Sequence, residues 1–260
     1  VRVLRALFQL TRLETSLLGF LAVFIPLCAR TKDMSSSFRK AVPFLFTGIC
    51  LFIANDLDDM ERDRVNHPAR PLPAGTLSPV FAVALYFTFL GLALFSTRYF
   101  ISEGIDFLYY LSISMAISYG YISEYIPVLK PPYVAVASTV PVLIIAISYP
   151  EETKLYILAV SIFLLTLGRE VCKGIRDRAG DPISLMHRFT SIQLGVVAFF
   201  LQWLGLLLLV LLIRNRRDII DFFAMTILLG LSTVLWFRLN YKLSLISMKL
   251  QLFVGLYFLL

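Results

Sequence analysis

The stretch Asn55-Asp56-Leu57-Asp58-Asp59-Met60-Glu61-Arg62-Asp63 follows directly on the apolar run from Ala41 to Ala54. Continued as a helix at about 100° per residue, it puts Asp59 roughly 60° and Asp63 roughly 20° from Asp56, so three carboxylates share one face over about two turns. Asp58 falls on another face. Carboxylates packed this closely repel one another and stay ionised only beside compensating cations. Hard oxygen donors that leave part of a coordination sphere open suit Mg²⁺ bridging to substrate phosphates. The expected ligand is a diphosphate, with Asp56, Asp59 and Asp63 as metal-binding and catalytic candidates.

A second acidic cluster closes a second apolar run. After Leu155 to Leu167, the segment Asp177-Arg178-Ala179-Gly180-Asp181 would set two carboxylates about 40° apart on a helix. Arg62, Arg64 and Arg70 flank the first cluster, and Lys173, Arg176 and Arg178 flank the second. Each acid group therefore carries its own cations, as a site for metal-bound phosphate requires. Arg62, Arg70, Lys173 and Arg178 are the candidate diphosphate-binding residues. Charged loops between membrane helices also mix acids and bases, but two such clusters, each ending an apolar run, argue against that reading.

At these residues the chain resembles the UbiA superfamily of intramembrane prenyltransferases. That family carries Asn-Asp-x-x-Asp-x-x-x-Asp and Asp-x-x-x-Asp, matched here by Asn55, Asp56, Asp59 and Asp63, then by Asp177 and Asp181. The match continues through Asn66-His67-Pro68-Ala69-Arg70-Pro71-Leu72-Pro73-Ala74-Gly75, and Arg169, Glu170 and Lys173 look like the lead into the second motif. A bare Asp-x-x-x-Asp is common, whereas a match of this length is specific. The resemblance implies metal binding by Asn55, Asp56, Asp59, Asp63, Asp177 and Asp181, and makes Asp177 and Asp181 catalytic candidates beside the first three aspartates. It also implies Mg²⁺, or Mn²⁺ in its place, and transfer of a polyprenyl group from an allylic diphosphate to an acceptor, most often aromatic in the family or a lipid precursor. The fold it implies is all-α, with nine transmembrane helices around a central cavity in a single domain, residues 1–260.

Composition agrees with a membrane protein: 58% of residues are hydrophobic and 16% charged, with mean hydropathy +0.81. Spans can be drawn at about 12–29, 41–57, 78–97, 105–123, 133–148, 155–171, 192–213, 219–237 and 244–260. The polar stretches 55–77 and 168–191 are the motif loops, the first stiffened by Pro68, Pro71 and Pro73 and turned at Gly75. The opening Val1-Arg2-Val3-Leu4-Arg5 carries no secretory signal pattern. Cys28, Cys50 and Cys172 are odd in number and lack Cys-x-x-Cys spacing, and His67 and His187 have no partner at ligand spacing, so neither a disulfide nor zinc is expected. The net charge of +7 is scattered between apolar segments. It fits a lipid bilayer and excludes a nucleic-acid track. The excess of bases on one side comes from the motifs themselves, so a cytoplasmic side for the motif loops rests on the resemblance.

The chemistry expected follows from charge. Neutralising the diphosphate oxygens lets that group leave, and an apolar, aromatic cavity shields the allylic cation from water. Some positions depart from the family. A Tyr-x-x-x-Lys element is common after the fourth span, but Ser123 stands four residues after Tyr119 and Tyr125 four after Tyr121; Lys130 is the next base along the chain. Gly174 follows Lys173 where relatives often have an acid, and Leu13 follows Arg12 where many have Pro. Glu14, Tyr119 and Tyr121 are candidates to line the substrate cavity, Glu14 otherwise serving as a charge at a helix end. The missing Lys keeps open a terpene cyclase of the same superfamily, acting without an acceptor. A transporter would need acids at mid-membrane on broken helices, and these clusters sit at helix ends.

Overall fold

The computed structural model describes residues 2–101, 104–178, 189–214, 216–237, 243–248 and 250. Every regular element of four or more residues among them is helical: α1 (Arg2–Thr11), α2 (Leu13–Thr31), α3 (Met34–Asp58), α4 (Met60–Asn66), α5 (Pro79–Phe100), α6 (Asp106–Tyr125), α7 (Lys130–Ser148), α8 (Thr153–Arg176), α9 (Ser191–Leu209), α10 (Arg216–Phe237) and a helical stretch over 243–248. Seven helical segments of the described residues are long and apolar enough to cross a membrane; they contain α2, α3, α5, α7, α8, α9 and α10. α6 has 20 residues, enough to span, but four Ser and five Tyr dilute its apolar character. The expected span 244–260 lies mostly outside the described residues.

Local chemistry moves several expected boundaries. α3 starts at Met34 rather than 41 because the Asp33 side chain caps it, accepting the Ser36 N–H at 2.9 Å. The fifth segment begins with a 3₁₀ turn, Pro127–Leu129, and runs straight into α7 rather than starting at 133. Pro131 and Pro132 are tolerated there because first-turn N–H groups have no helical partner to lose. α8 runs on to Arg176, with Lys173 and Arg176 in its last turn, where positive charge complements the helix dipole. α1 and α4 are additions to the expected list.

The chain divides into two compact units. In the first, Val1–Lys130, α3 packs against α1, α2, α5 and α6. Gly48 lets α3 approach α2, since a Cβ there would stand 3.3 Å from the Ser16 Cα. Tyr109 of α6 donates its hydroxyl to the Lys40 carbonyl at 2.9 Å and lays its ring 5.0 Å from Phe44. A core cluster joins Ala6 and Leu10 of α1, Ile49 and Ile53 of α3, Leu72 and Leu77 of the proline-rich segment and Ala82 of α5. That segment is folded onto itself by Ala74 N–H to Arg70 O at 2.9 Å and Thr76 N–H to Pro71 O at 2.9 Å, with Gly75 at φ +68°, a left-handed turn that favours glycine.

The second unit is Pro131–Arg178 with the described part of Ile183–Leu260. Here α8 lies against α9, and α9 against α10. A Cβ on Gly168 would stand 2.4 Å from the Ala198 carbonyl oxygen, and one on Gly205 would stand 3.0 Å from the Ser161 carbonyl oxygen. Small residues bring the two backbones together where lipid supplies no hydrophobic drive between helices. Phe199 and Trp236 meet edge to face at 6.2 Å between α9 and α10.

Candidate functional site

The first acidic motif straddles a joint. α3 ends at Asp58 and α4 begins at Met60, with Asp59 between them at φ −84°, ψ 3°. The continuous helix expected over 55–63 is therefore interrupted by one residue. The N–H of Asp59 still reaches the Asn55 carbonyl at 2.9 Å, and that of Asp63 the Asp59 carbonyl at 2.7 Å. Helical spacing carries across the joint. Asp56 and Asp63 are 3% and 4% exposed, and Asp58, on the other face, is exposed.

Each of the three aspartates on this face is paired with cations. Arg12 forms an ion pair with Asp56 and lies over the Phe52 ring, 5.0 Å from its centroid. It occupies the single-residue joint between α1 and α2 in a left-handed conformation, φ 41°, ψ 48°, with its carbonyl accepting the N–H groups of Thr15 and Ser16. Arg70 pairs with Asp63 and approaches Asp56 Oδ1 at 3.6 Å. Asp59 takes Arg62 Nη1 on Oδ1 at 3.0 Å and Lys130 Nζ on Oδ2 at 3.4 Å. Arg62 Nη1 also donates to Ser123 Oγ at 3.2 Å, and the Asn55 amide donates to Asp56 Oδ1 at 3.3 Å. Burial pushes the Asp63 carboxyl above its ordinary range, Arg70 opposes that, and Asp59 and Asp56 add to it.

The hydrophobic cluster explains the aim of two of these cations. Leu10 and Ala6 pin α1 against α3, so the next turn delivers Arg12 to Asp56; Leu72 and Leu77 pin the proline-rich segment beside the same helix, which delivers Arg70. Position 123, where the resemblance leads one to expect a base, holds a buried Ser that accepts from Arg62. Lys130 reaches Asp59 from the start of α7, with its ammonium 5.6 Å from the centroid of the buried Tyr119 ring. Tyr121 is exposed, with its ring 4.8 Å from that of Tyr125, and Glu14 is exposed in the first turn of α2. Of the three expected cavity residues, Tyr119 lies against Lys130 of the cluster.

The second motif begins where α8 ends. Asp177 caps the helix rather than lying on it, and Arg176 holds its carboxylate with Nε at 2.5 Å and Nη2 at 2.6 Å. The 40° helical relation expected between Asp177 and Asp181 has no described helix to rest on, and Asp181 lies outside the described residues. Two turns earlier the buried Glu170 accepts from Arg169 at 2.9 Å and from Lys173 at 2.7 Å. Arg178 donates to the Phe189 carbonyl at 3.0 Å. Arg12, Lys130 and Ser123 are the participants that spacing alone did not single out.

Among the described residues, no three His, Cys, Asp or Glu side chains converge so that one ion would touch them all. Mg²⁺ is commonly bound through one or two carboxylates, with substrate phosphates and water completing its octahedron. Asp56, Asp59 and Asp63 offer only hard carboxylate oxygens, and that donor set fits such an ion.

Residues 16–259 match the model of the UbiA prenyltransferase family. A stretch of 131 residues is 33% identical to digeranylgeranylglyceryl phosphate synthase of Metallosphaera sedula, covering 49% of this chain and 45% of that protein, so the chain spans about half the length of this curated relative. The apo structure of a UbiA homolog from Aeropyrum pernix K1 superposes with TM-score 0.78 at 13% identity, over 94% of this chain and 96% of that one. A UbiA homolog from Archaeoglobus fulgidus, solved bound to DMAPP and Mg²⁺, superposes with TM-score 0.55 at 15% identity, over 97% and 98%. At such identities the likeness is one of fold. With all but the first 15 residues and the last inside the family match, this chain belongs to the UbiA prenyltransferase family.

Proposed function

We propose that the chain transfers a polyprenyl group from an allylic prenyl diphosphate to a lipid-precursor acceptor. The observation that carries this reading is the arrangement at the end of α3: three aspartates on one face, two of them buried, each paired with a cation of the chain. Support for the donor comes from the Archaeoglobus homolog bound to DMAPP and Mg²⁺. Support for a lipid acceptor comes from the name of the Metallosphaera relative, digeranylgeranylglyceryl phosphate synthase.

In this reading Asn55, Asp56, Asp59 and Asp63, with Asp177 and Asp181 of the second motif, hold Mg²⁺. The ion supplies positive charge for the leaving diphosphate. Arg62 and Arg70 orient the phosphates through directional N–H donors, and Lys173 and Arg178 serve the second motif in the same way. The Tyr119 ring offers a negative face beside the place where the allylic cation develops. Apolar walls exclude the water that would quench it. The same reading takes the chain as a single domain of nine spans around a central cavity, with α6 and the apolar run 244–260 added to the seven segments long and apolar enough to cross. It sets the motif loops on the cytoplasmic side.

The test is purified protein given a prenyl diphosphate and Mg²⁺, with and without acceptor, followed by diphosphate release and mass spectrometry. A prenylated glyceryl phosphate and an aromatic acceptor form separate arms. Acceptor-dependent release with a prenylated lipid product is expected. Rapid, complete formation of one cyclic hydrocarbon from the diphosphate alone would replace the transferase with a cyclase.

A further inference from the structure

Among the described residues, Asp59 is the one aspartate of the cluster with a different cation on each oxygen, and the two are held unequally. Arg62 Nη1 sits 3.0 Å from Oδ1 and has a second acceptor, Ser123 Oγ, at 3.2 Å. Lys130 Nζ stands 3.4 Å from Oδ2, longer than the roughly 2.7–2.9 Å of a strong charge-assisted hydrogen bond. It also faces the Tyr119 ring, 5.6 Å away, an attraction without a fixed direction, and the Asp58 carboxylate lies close enough to feel its charge. A lysine is also a compact charge on a flexible four-carbon stem, whereas an arginine is a rigid fork. An incoming cation at Asp59 would therefore displace Lys130 before Arg62.

We propose that Lys130 is a diphosphate-binding residue that exchanges partners. It neutralises Asp59 Oδ2 until a divalent cation takes that carboxylate, and its ammonium then turns, with the Tyr119 ring as its rest, to the oxygens of the diphosphate. The proposal rests on the prenyl-diphosphate reading of the site. The 3₁₀ turn Pro127–Leu129 places Lys130 as the first residue of α7, so its backbone is anchored while a quarter of its side chain stays exposed. Electrostatically, the exchange moves a positive charge from an acid that has gained a metal to an anion that has just arrived.

The exchange predicts effects of opposite sign from one substitution. In purified full-length protein, Mn²⁺ binding without substrate is read by electron paramagnetic resonance, and binding of inorganic pyrophosphate at saturating Mn²⁺ by calorimetry. Lys130→Met removes a competitor for Asp59, so Mn²⁺ should bind severalfold more tightly, while pyrophosphate should bind about tenfold or more weakly for want of a charged hydrogen bond. Lys130→Arg should keep pyrophosphate affinity within about threefold, since it keeps the charge. Lys130→Gln, which keeps a polar side chain without charge, should repeat the pattern of Lys130→Met and gives a second measurement should the Met variant fold poorly. Unchanged pyrophosphate affinity in the uncharged variants, or weakening of both ligands together, overturns the role of Lys130. Failure of the unsubstituted protein to bind either ligand overturns the prenyl-diphosphate reading itself, and this proposal with it.

Discussion

The Asp58 carboxylate lies where a side chain on Gly120 would have to stand: a Cβ built on that glycine would be 2.2 Å from Asp58 Oδ2 and 2.6 Å from its Cγ. The obstacle is the end of an exposed side chain, which can turn to solvent. At Gly168 the obstacle is the backbone carbonyl of Ala198 at 2.4 Å, which can move only if α9 moves. Gly168→Ala should therefore destabilise the protein by about 1–3 kcal/mol, and Gly120→Ala by less than about 1 kcal/mol. Melting of the two variants in the same detergent checks the order, and equal losses would show that the α8–α9 contact yields as readily as a side chain.

The faces of the first motif separate its acids by role. Asp56→Ala, Asp59→Ala and, on sequence grounds, Asp181→Ala should each lower kcat by on the order of 10²-fold, since each removes charge used as the diphosphate leaves. Asp58→Ala, exposed and turned toward α6, should stay within about threefold. Steady-state prenyl transfer measures both, and an equal loss at Asp58 would end the argument from helical face.

Arg12 combines an unfavourable backbone with a needed charge, and substitution can part the two. Arg12→Ala keeps the positive φ and loses the pair with Asp56; Arg12→Gly loses the pair but relieves roughly 1–2 kcal/mol of left-handed strain. The Gly variant should melt higher than the Ala variant while both lose activity to the same degree. Recovery of activity in Arg12→Gly would mean that the bend between α1 and α2, rather than the guanidinium, is what the site requires.

Chelation should abolish transfer, and added Mg²⁺ or Mn²⁺ should restore it, because the aspartates repel a diphosphate unless a cation lies between them. Arg12, Arg62, Arg70 and Lys130 soften that repulsion without supplying an ion that binds acid and phosphate at once. Full turnover in excess chelator would contradict the mechanism.

The legible part of the site was the part written in short-range spacing. Asp56, Asp59 and Asp63 lie within two helical turns, so their shared face follows from 3.6-residue periodicity even across a one-residue joint. Arg62 and Arg70 stood out because they flank the same segment. Arg12 and Lys130 did not, since they meet Asp56 and Asp59 from 44 and 71 residues away, and no local pattern records which base a distant helix end will deliver. The apolar spans were visible in hydropathy, but their starts were set by an Asp33 cap and by prolines in a first turn, which hydropathy does not weigh.

Leu10, Leu72 and Leu77 share one hydrophobic cluster with Ile53, a single turn before Asp56. The proline-rich segment is therefore masonry rather than a tether: it is laid in the same course as the N-terminal helix, and the two arginines it helps to aim stand or fall together. A lesion in a leucine that touches no substrate would mimic an active-site mutation, silencing the chemistry while every acid remained in place.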